Sequence, residues 1–346
     1  MKLCQFTKRL AANRYSQSSL TQSHLCFILL NRQCQSPIVR LFVSLCLVPL
    51  FSDPALAERS VTEAEIYKVR NQVDINYQQE PDWNPAEVGD KIVPEDSVRT
   101  GANSRADLLF NEGTLVRTGA GTTFRFPPGR RSFELTSGAA LIMIRPEQGQ
   151  STISTPEAQV TSQGTALFVQ HNPQTSSSLV GVLTDSPAGL VKVESANGEV
   201  TIHLQAGQFV SIVRGVVGLV EHFVLPMFYE TVELSAGLGA DPEALEALIA
   251  KEAPEVRETI RAVRAEAIAP LQNQLNWLQS FCRVRIETEN LEPLLQILGL
   301  NAPGFRLDLS IDDRDLAVLP VRSLGGATWL GKYCQTNSTL PGLEPE

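Results

Sequence analysis

The stretch Gly89–Phe126, GDKIVPEDSVRTGANSRADLLFNEGTLVRTGAGTTFRF, constrains the fold more than any other. Short apolar alternations recur at Ile92/Val93, Val98, Leu108/Phe110, Leu115/Val116 and Phe124/Phe126. Gly, Asn, Asp or Pro punctuates nearly every gap. Period-two alternation broken at close, regular intervals predicts short strands and tight turns, not alternating strands and helices. Asn111-Glu112-Gly113 between two apolar runs predicts a hairpin with Gly at a positive φ.

The same grammar continues to residue 213. Phe133–Leu135 and Ala140–Ile144 are expected strands joined through Ser137-Gly138. The run ALIMI is apolar on both faces and predicts a central, fully buried strand. Further strands are expected around Ile153, at Val160, over Ala166–Gln170, Leu179–Leu183, Leu190–Glu194, Val200–Leu204 and Phe209–Val213. Residues 171–178, HNPQTSSS, read as a polar loop. Upstream, Val61–Gln79 fits either a helix (Ile66, Val69, Val73) or a strand (Val73, Ile75, Tyr77), and the strand is preferred. About a dozen short strands with almost no helix signal predict a sandwich, jelly roll or solenoid-like domain.

The order of these motifs resembles the FecR-type domain, the periplasmic part of the ferric-citrate regulator family, over about residues 88–213. The matching pieces are Gly89-Asp90, Thr100-Gly101, Ser104-Arg105-Ala106, the Asn111–Thr114 turn, Gly138, Thr155-Pro156, Gly164-Thr165 before Phe168-Val169, and Leu204–Gln208. The resemblance implies an extracytoplasmic β-sandwich that senses or binds. In the founding type it relays a signal from an outer-membrane receptor to a sigma factor. Thr184–Gly189 interrupts what resembles the family's continuous strand pair.

Ahead of this module, Leu41–Phe51 is a short apolar run preceded by Arg40 and followed by Ala55 and Ala57 in an A-x-A arrangement before Glu58. That pattern predicts a signal peptide cleaved between Ala57 and Glu58. Eleven residues are too few to span a bilayer, where about 20 are needed. The 37 residues before Ile38 are long for such a leader. An earlier-than-true start and an organelle transit peptide both account for them, and the first is preferred because the cleavage site is well formed.

Of 29 basic and 38 acidic side chains, six and one fall in residues 1–57. The remainder holds 23 against 37, a net of −14. An acidic body disfavours nucleic acid as a partner, since phosphate binding rests on clustered Lys and Arg. Four of the six cysteines are also in the leader, leaving Cys282 and Cys334. In an oxidising compartment that pair predicts a disulfide closing a loop of about 50 residues, worth on the order of 4 kcal/mol. Two separate buried thiols are the other reading. Neither cysteine has a partner at metal-ligand spacing.

From Val216 to Leu234 the chain is apolar and β-leaning, and Gly237-Leu238-Gly239 marks a boundary. Asp241-Pro242 predicts a helix N-cap and N1. A helix bearing Leu245, Leu248 and Ile249 follows. A second starts at Pro254 with the stripe Val256, Ile260, Val263 and Ala267, and a third follows Pro270 with Leu271, Leu275, Leu278 and Phe281. A fourth carries Leu291–Leu298, and residues 305–333 return to alternation. The stripes are expected to pack on each other and on the β module.

No catalytic, cofactor or metal constellation is legible. His171 is expected exposed in a loop and His203 solvent-facing in a strand, and His222 has no ligand neighbour at metal spacing. Arg130-Arg131 reads as a solvated basic turn. Thr184-Asp185-Ser186 lacks a nucleophile elbow, and no phosphate-loop or dinucleotide fingerprint is present.

The expected fold is therefore a mainly β, sandwich- or jelly-roll-like domain with a smaller helical C-terminal region and a short β end. The expected divisions are 1–57, 58–234 (core 88–213), 241–300 and 301–346. The expected function is an exported, periplasmic or secreted, non-catalytic module without a cofactor. It would recognise an envelope protein, a polymer or a small ligand. A single-pass anti-sigma-type relay with an uncleaved anchor is the alternative, and a cell-envelope enzyme a weaker one.

Overall fold

The structure, a computed structural model, describes residues 60–288 apart from Arg130 and Ala240. The leader with its Ala57/Glu58 site, Leu291–Leu298, residues 305–333 and Cys334 lie outside the described residues. Only the backbone is described at Cys282, within a helix.

Eighteen strands form among the described residues. They are β1 (Ala64–Arg70), β2 (Val73–Asn76), β3 (Asn84–Pro85), β4 (Lys91–Ile92), β5 (Ser97–Thr100), β6 (Arg105–Phe110), β7 (Leu115–Thr118), β8 (Thr123–Arg125) and β9 (Ser132–Met143). There follow β10 (Gln150–Ser154), β11 (Ala158–Gln163), β12 (Ala166–Asn172), β13 (Ser177–Val182), β14 (Val191–Ser195), β15 (Thr201–Leu204), β16 (Gln208–Val213), β17 (Val216–Val217) and β18 (Glu221–His222).

They build two sheets. The first runs β4-β1-β6-β7-β9-β12-β13-β16, with β17 and β18 both on β16. The second runs β3-β2-β5-β8-β9-β10-β11-β14-β15. Every pairing is antiparallel except β9 with β10. One strand, β9, sits centrally in both sheets.

The two expected strands around Ser137-Gly138 are thus one strand that changes sheets. Before Gly138, Phe133 and Leu135 are buried while Ser132, Glu134 and Thr136 are partly exposed. After it, Ala139 through Met143 are all buried. The periodicity changes because the surroundings change. The second sheet has one solvated face, whereas the first is covered on both. Gly138 has φ +78, and a Cβ there would lie 2.4 Å from the Thr122 Cα. Thr122 holds the crossing: its Oγ1 donates to Ala139 O (3.0 Å) and accepts from Ala139 N (3.1 Å). Its own amide donates to Thr100 Oγ1 (2.9 Å).

Between the sheets lies one core, centred on Phe110, Phe124, Phe126 and Phe133. Phe110 meets Phe133 edge-on at 4.9 Å and Phe126 at 5.3 Å. A second core lies on the outer face of the first sheet, where Leu115, Leu141, Met143, Phe168 and Phe209 meet the helices. These are α1 (Leu225–Thr231), α2 (Pro242–Ile249) and α3 (Pro254–Thr288). Asp241 caps α2 through Glu243 N and Ala244 N, as Asp-Pro predicted. Val256, Ile260, Val263 and Ala267 are all buried against the sheet. Leu245 and Ile249 are buried, but Leu248 is 41% exposed.

The preferred strand reading of Val61–Gln79 holds, as two strands, β1 and β2. Other expectations are corrected. Val216–Leu234 holds only two-residue strands before α1, because Pro226 at the first turn starts a helix whose Leu225, Met227 and Phe228 enter the second core. Residues 171–178 are the end of β12, a four-residue turn and the start of β13, so the loop is confined to residues 173–176. Pro270 does not separate two helices, since α3 runs through it. Proline there removes the amide that would bond Glu266 O. Asp185 N, from the loop after β13, donates to that carbonyl instead at 3.2 Å.

Replacing Gly138 with alanine sets a Cβ against backbone and forces a strained φ. We expect Gly138→Ala to lose more than about 2 kcal/mol in urea unfolding. Gly121→Ala, at φ +62 with nothing within 4 Å of its Cβ position, should lose less. Equal losses would mean that the close approach at the crossing is unimportant.

Candidate functional site: a charged cleft and a buried ion pair

The predicted Asn111–Thr114 hairpin joins β6 to β7, with Gly113 at φ +99. Its charge is not solvated. Glu112 is buried and its Oε1 lies 3.0 Å from Arg131 Nη1, with side chains 1% and 0% exposed. Glu112 Oε2 accepts the Thr114 amide (2.5 Å). Arg131 Nε donates to Ser151 Oγ at 3.0 Å. Arg145 Nη2 donates to Glu112 O (2.7 Å), and Thr259 Oγ1 on α3 donates to Gly113 O (2.6 Å). The turn therefore joins β9, β10 and α3 at one point. Arg131 in a solvated turn is corrected: the long side chain folds inward because a buried carboxylate awaits it.

A cleft of about 360 Å³ opens where β1, β6 and β7 meet the Glu233–Ser235 turn and α2. Lys68, Arg70, Arg105, Asp107, Arg117, Glu233 and Glu252 form its polar lining, and Val69, Val88, Ala236 and Leu248 its apolar part. Arg117 is the floor. Its Nη1 donates to Leu234 O (2.9 Å) and Ala236 O (2.6 Å), and its Nε stands 3.7 Å from Asp107. Burial pulls its guanidinium down to about 10, against the opposing pull of Asp107. Arg105 is 13% exposed and bonds Asp107 at 3.1 Å.

Glu233 closes the outer end. Its Oε1 takes Arg70 Nη1 at 2.6 Å and lies 3.4 Å from Arg105 Nη1. The Arg70 bond, against burial, holds its carboxyl below the ordinary range, with help from Arg105. Opposite, Glu252 pairs with Lys68 and accepts from Tyr67 Oη at 2.8 Å. Burial would raise the Glu252 carboxyl, but the bonds from Lys68 and Tyr67 outweigh it and the net shift is downward.

The histidines fall elsewhere. His171 is corrected: it is 3% exposed, in β12, not in a loop. Its Nδ1 is 2.9 Å from Ser178 Oγ, which donates to Thr155 Oγ1 at 2.8 Å. Burial lowers its pKa, against Glu157. This chain fills a polar end of the inter-sheet core. His203 and His222 are exposed on strands, His203 as read from the sequence. Thr184 is buried and bonded to Thr165, while Ser186 bonds Gln163 O. No group of three or more His, Cys, Asp or Glu among the described residues is placed to hold a metal ion.

Residues 96–186 match the family described as FecR protein. The chain carries a FecR-type domain. Two solved structures of Parabacteroides distasonis proteins, provisionally assigned as anti-sigma factors, are similar in part. One is 20% identical over 36% of this chain and 59% of its own, with a TM-score of 0.32. The other is 19% identical over 38% and 63%, with a TM-score of 0.33. The chain thus spans about 60% of the length of these structures. No curated protein matches it.

The FecR match contains the crossing strand β9, the hairpin with its ion pair, and Arg105 of the cleft. Most FecR-type motif residues hold turns. Ser104 Oγ accepts the Gln72 amide at 3.1 Å. A Cβ on Gly164 would lie 2.5 Å from Pro146 Cα. Outside the match, Gly207 leaves room for Gln274, whose amide bonds both Leu225 N and Phe223 O. Sequence reasoning missed the cleft because its charges are scattered over β1, β6, β7 and the helices; only Arg105 sits in a quoted motif.

Arg131→Met should cost about 3–5 kcal/mol, since it strands a buried carboxylate. Adding Glu112→Gln should recover part of that in chemical unfolding, and purely additive losses would show the pair uncoupled. A second expectation concerns acid. Glu252 has a depressed folded pKa, so its stabilising contribution is complete above the unfolded value near about 4.3 and is lost as pH falls through the folded one. The Tm advantage of the wild type over Glu252→Gln should shrink between about pH 5 and pH 3. An advantage independent of pH would assign it to packing.

Proposed function

We propose that the chain is an exported, non-catalytic recognition module. Its FecR-type β domain would present a surface to another component of the cell envelope. The observation that carries this reading is the FecR match over residues 96–186, on a sandwich whose charged cleft is walled by that segment and by the helical region. The leader pattern ending at Ala57 supports export to a periplasmic or extracellular space. No residue is assigned a catalytic role. The Cys282–Cys334 disulfide belongs to the same proposal, since an oxidising compartment is where such a bond persists.

A second reading keeps the leader as an anchor, making the chain a single-pass signalling regulator. The founding FecR-type arrangement favours it, and the Parabacteroides distasonis proteins are provisionally assigned as anti-sigma factors. No helix of the described residues is long and apolar enough to cross a membrane, so an anchor would have to come from elsewhere in the chain.

The two readings separate at one bond. In a native exporting host, we expect a soluble chain beginning at Glu58, whose intact mass rises by two hydrogens on reduction. A membrane-retained chain that keeps its leader would overturn the exported module in favour of the anchored regulator. Free-thiol labelling of both cysteines would remove the disulfide.

A further inference from the structure

We propose that the charged cleft docks an acidic segment of a partner protein, with a partner carboxylate taking the place that Glu233 now holds between Arg70 and Arg105. This rests on the reading of the chain as a recognition module, and names what it would recognise.

Charge sets this cleft apart. The body is acidic, with a net of −9 for the whole chain, yet four cations line this one cleft: Lys68, Arg70, Arg105 and Arg117. Three acids answer them, and the three are not alike. Asp107 is 4% exposed and bonded within the sheet, and Glu252 is 9% exposed and tied to both Lys68 and Tyr67. Glu233 is 52% exposed and held by Arg70, itself 47% exposed. A solvated pair of this kind contributes little to stability. Exchanging Glu233 for an incoming carboxylate therefore costs little.

What the incoming group would meet is already in place. Asp107 fixes Arg105 at 3.1 Å, and the backbone carbonyls of Leu234 and Ala236 fix Arg117 beneath it. Guanidinium groups held by the fold lose little freedom on binding, and arginine is enriched where interfaces concentrate their energy. Val88 (63% exposed) and Leu248 (41%) stand at the same cleft. Charged groups beside exposed aliphatics fit a peptide with a carboxylate among apolar side chains. A free oxyanion would use the arginines but leave both aliphatics uncovered.

The test uses the full chain in titration calorimetry at low salt. The probe is a capped peptide alternating glutamate and leucine, compared with its glutamine counterpart and with inorganic phosphate. We expect the acidic peptide alone to bind, and to weaken as salt rises. Glu233→Gln removes the internal competitor and should tighten binding several-fold. Arg105→Gln should weaken it about tenfold or more. Arg70→Gln, a change at an exposed position, should weaken it without moving Tm. Three results overturn the proposal: no binding by either wild type or Glu233→Gln; equal binding of the glutamine peptide; or phosphate binding as tightly as the peptide, which would make this a small-anion site. None of these bears on where the leader is cut, so failure here is distinct from failure of the exported module.

Discussion

A single strand has to serve two sheets, and the rest of the structure depends on how it does so. β9 lies at the centre of both, and the change of sheet happens at Gly138. No side chain fits there, because the Thr122 backbone occupies the position a Cβ would need. The crossing is also where hydroxyls replace part of the ladder. Thr100 and Thr122 bond the backbone on either side of it. With the crossing fixed, both sheets have a defined register, and the Phe110–Phe133 cluster can close between them.

The first sheet then has a second apolar face to cover, and the helices cover it. Their attachment is partly polar. Thr259 reaches the hairpin carbonyl of Gly113, Arg117 holds the carbonyls of Leu234 and Ala236, and Gln274 bonds the backbone on both sides of Val224. Buried hydrogen bonds of this kind add direction to an apolar contact that by itself has none. The Glu112–Arg131 pair sits at the same junction. Burying such a pair is costly unless both ions are fully engaged, so it is weak evidence for stability. Its effect on geometry is plainer: it ties the hairpin to the start of β9. The cleft lies along the same sheet–helix seam, which is why its charges come from both parts.

Much of this was legible in the residues. The alternation in Gly89–Phe126, the turn at Gly113 and the doubly apolar ALIMI run follow from local rules and were found where expected. So did the Asp241 cap and the α3 stripe. The misreadings share one cause. His171 and Arg131 are polar residues beside turn-forming neighbours, and polarity near a turn reads as exposure. Each is buried because a partner on another strand or turn receives it: for the histidine, Ser178 across the β12–β13 hairpin, itself bonded to Thr155; for the arginine, Glu112 and Ser151, both far from it in sequence. Pro270 misled similarly. Its broken hydrogen bond is repaired by Asp185, some eighty residues earlier.

The opening stretch determined strands, turns and a FecR-type resemblance, because strand alternation and positive-φ glycines are properties of neighbouring residues. The leader pattern and the cysteine distribution likewise raised an expectation of compartment from composition alone. Local pattern could not say that one strand bridges two sheets, that the helices share a core with one of them, or that Lys68, Arg105, Arg117 and Glu233 meet in a cleft. Those facts depend on contacts between residues tens to more than a hundred positions apart, and only the packing of the sheets and helices brings such residues within reach of each other.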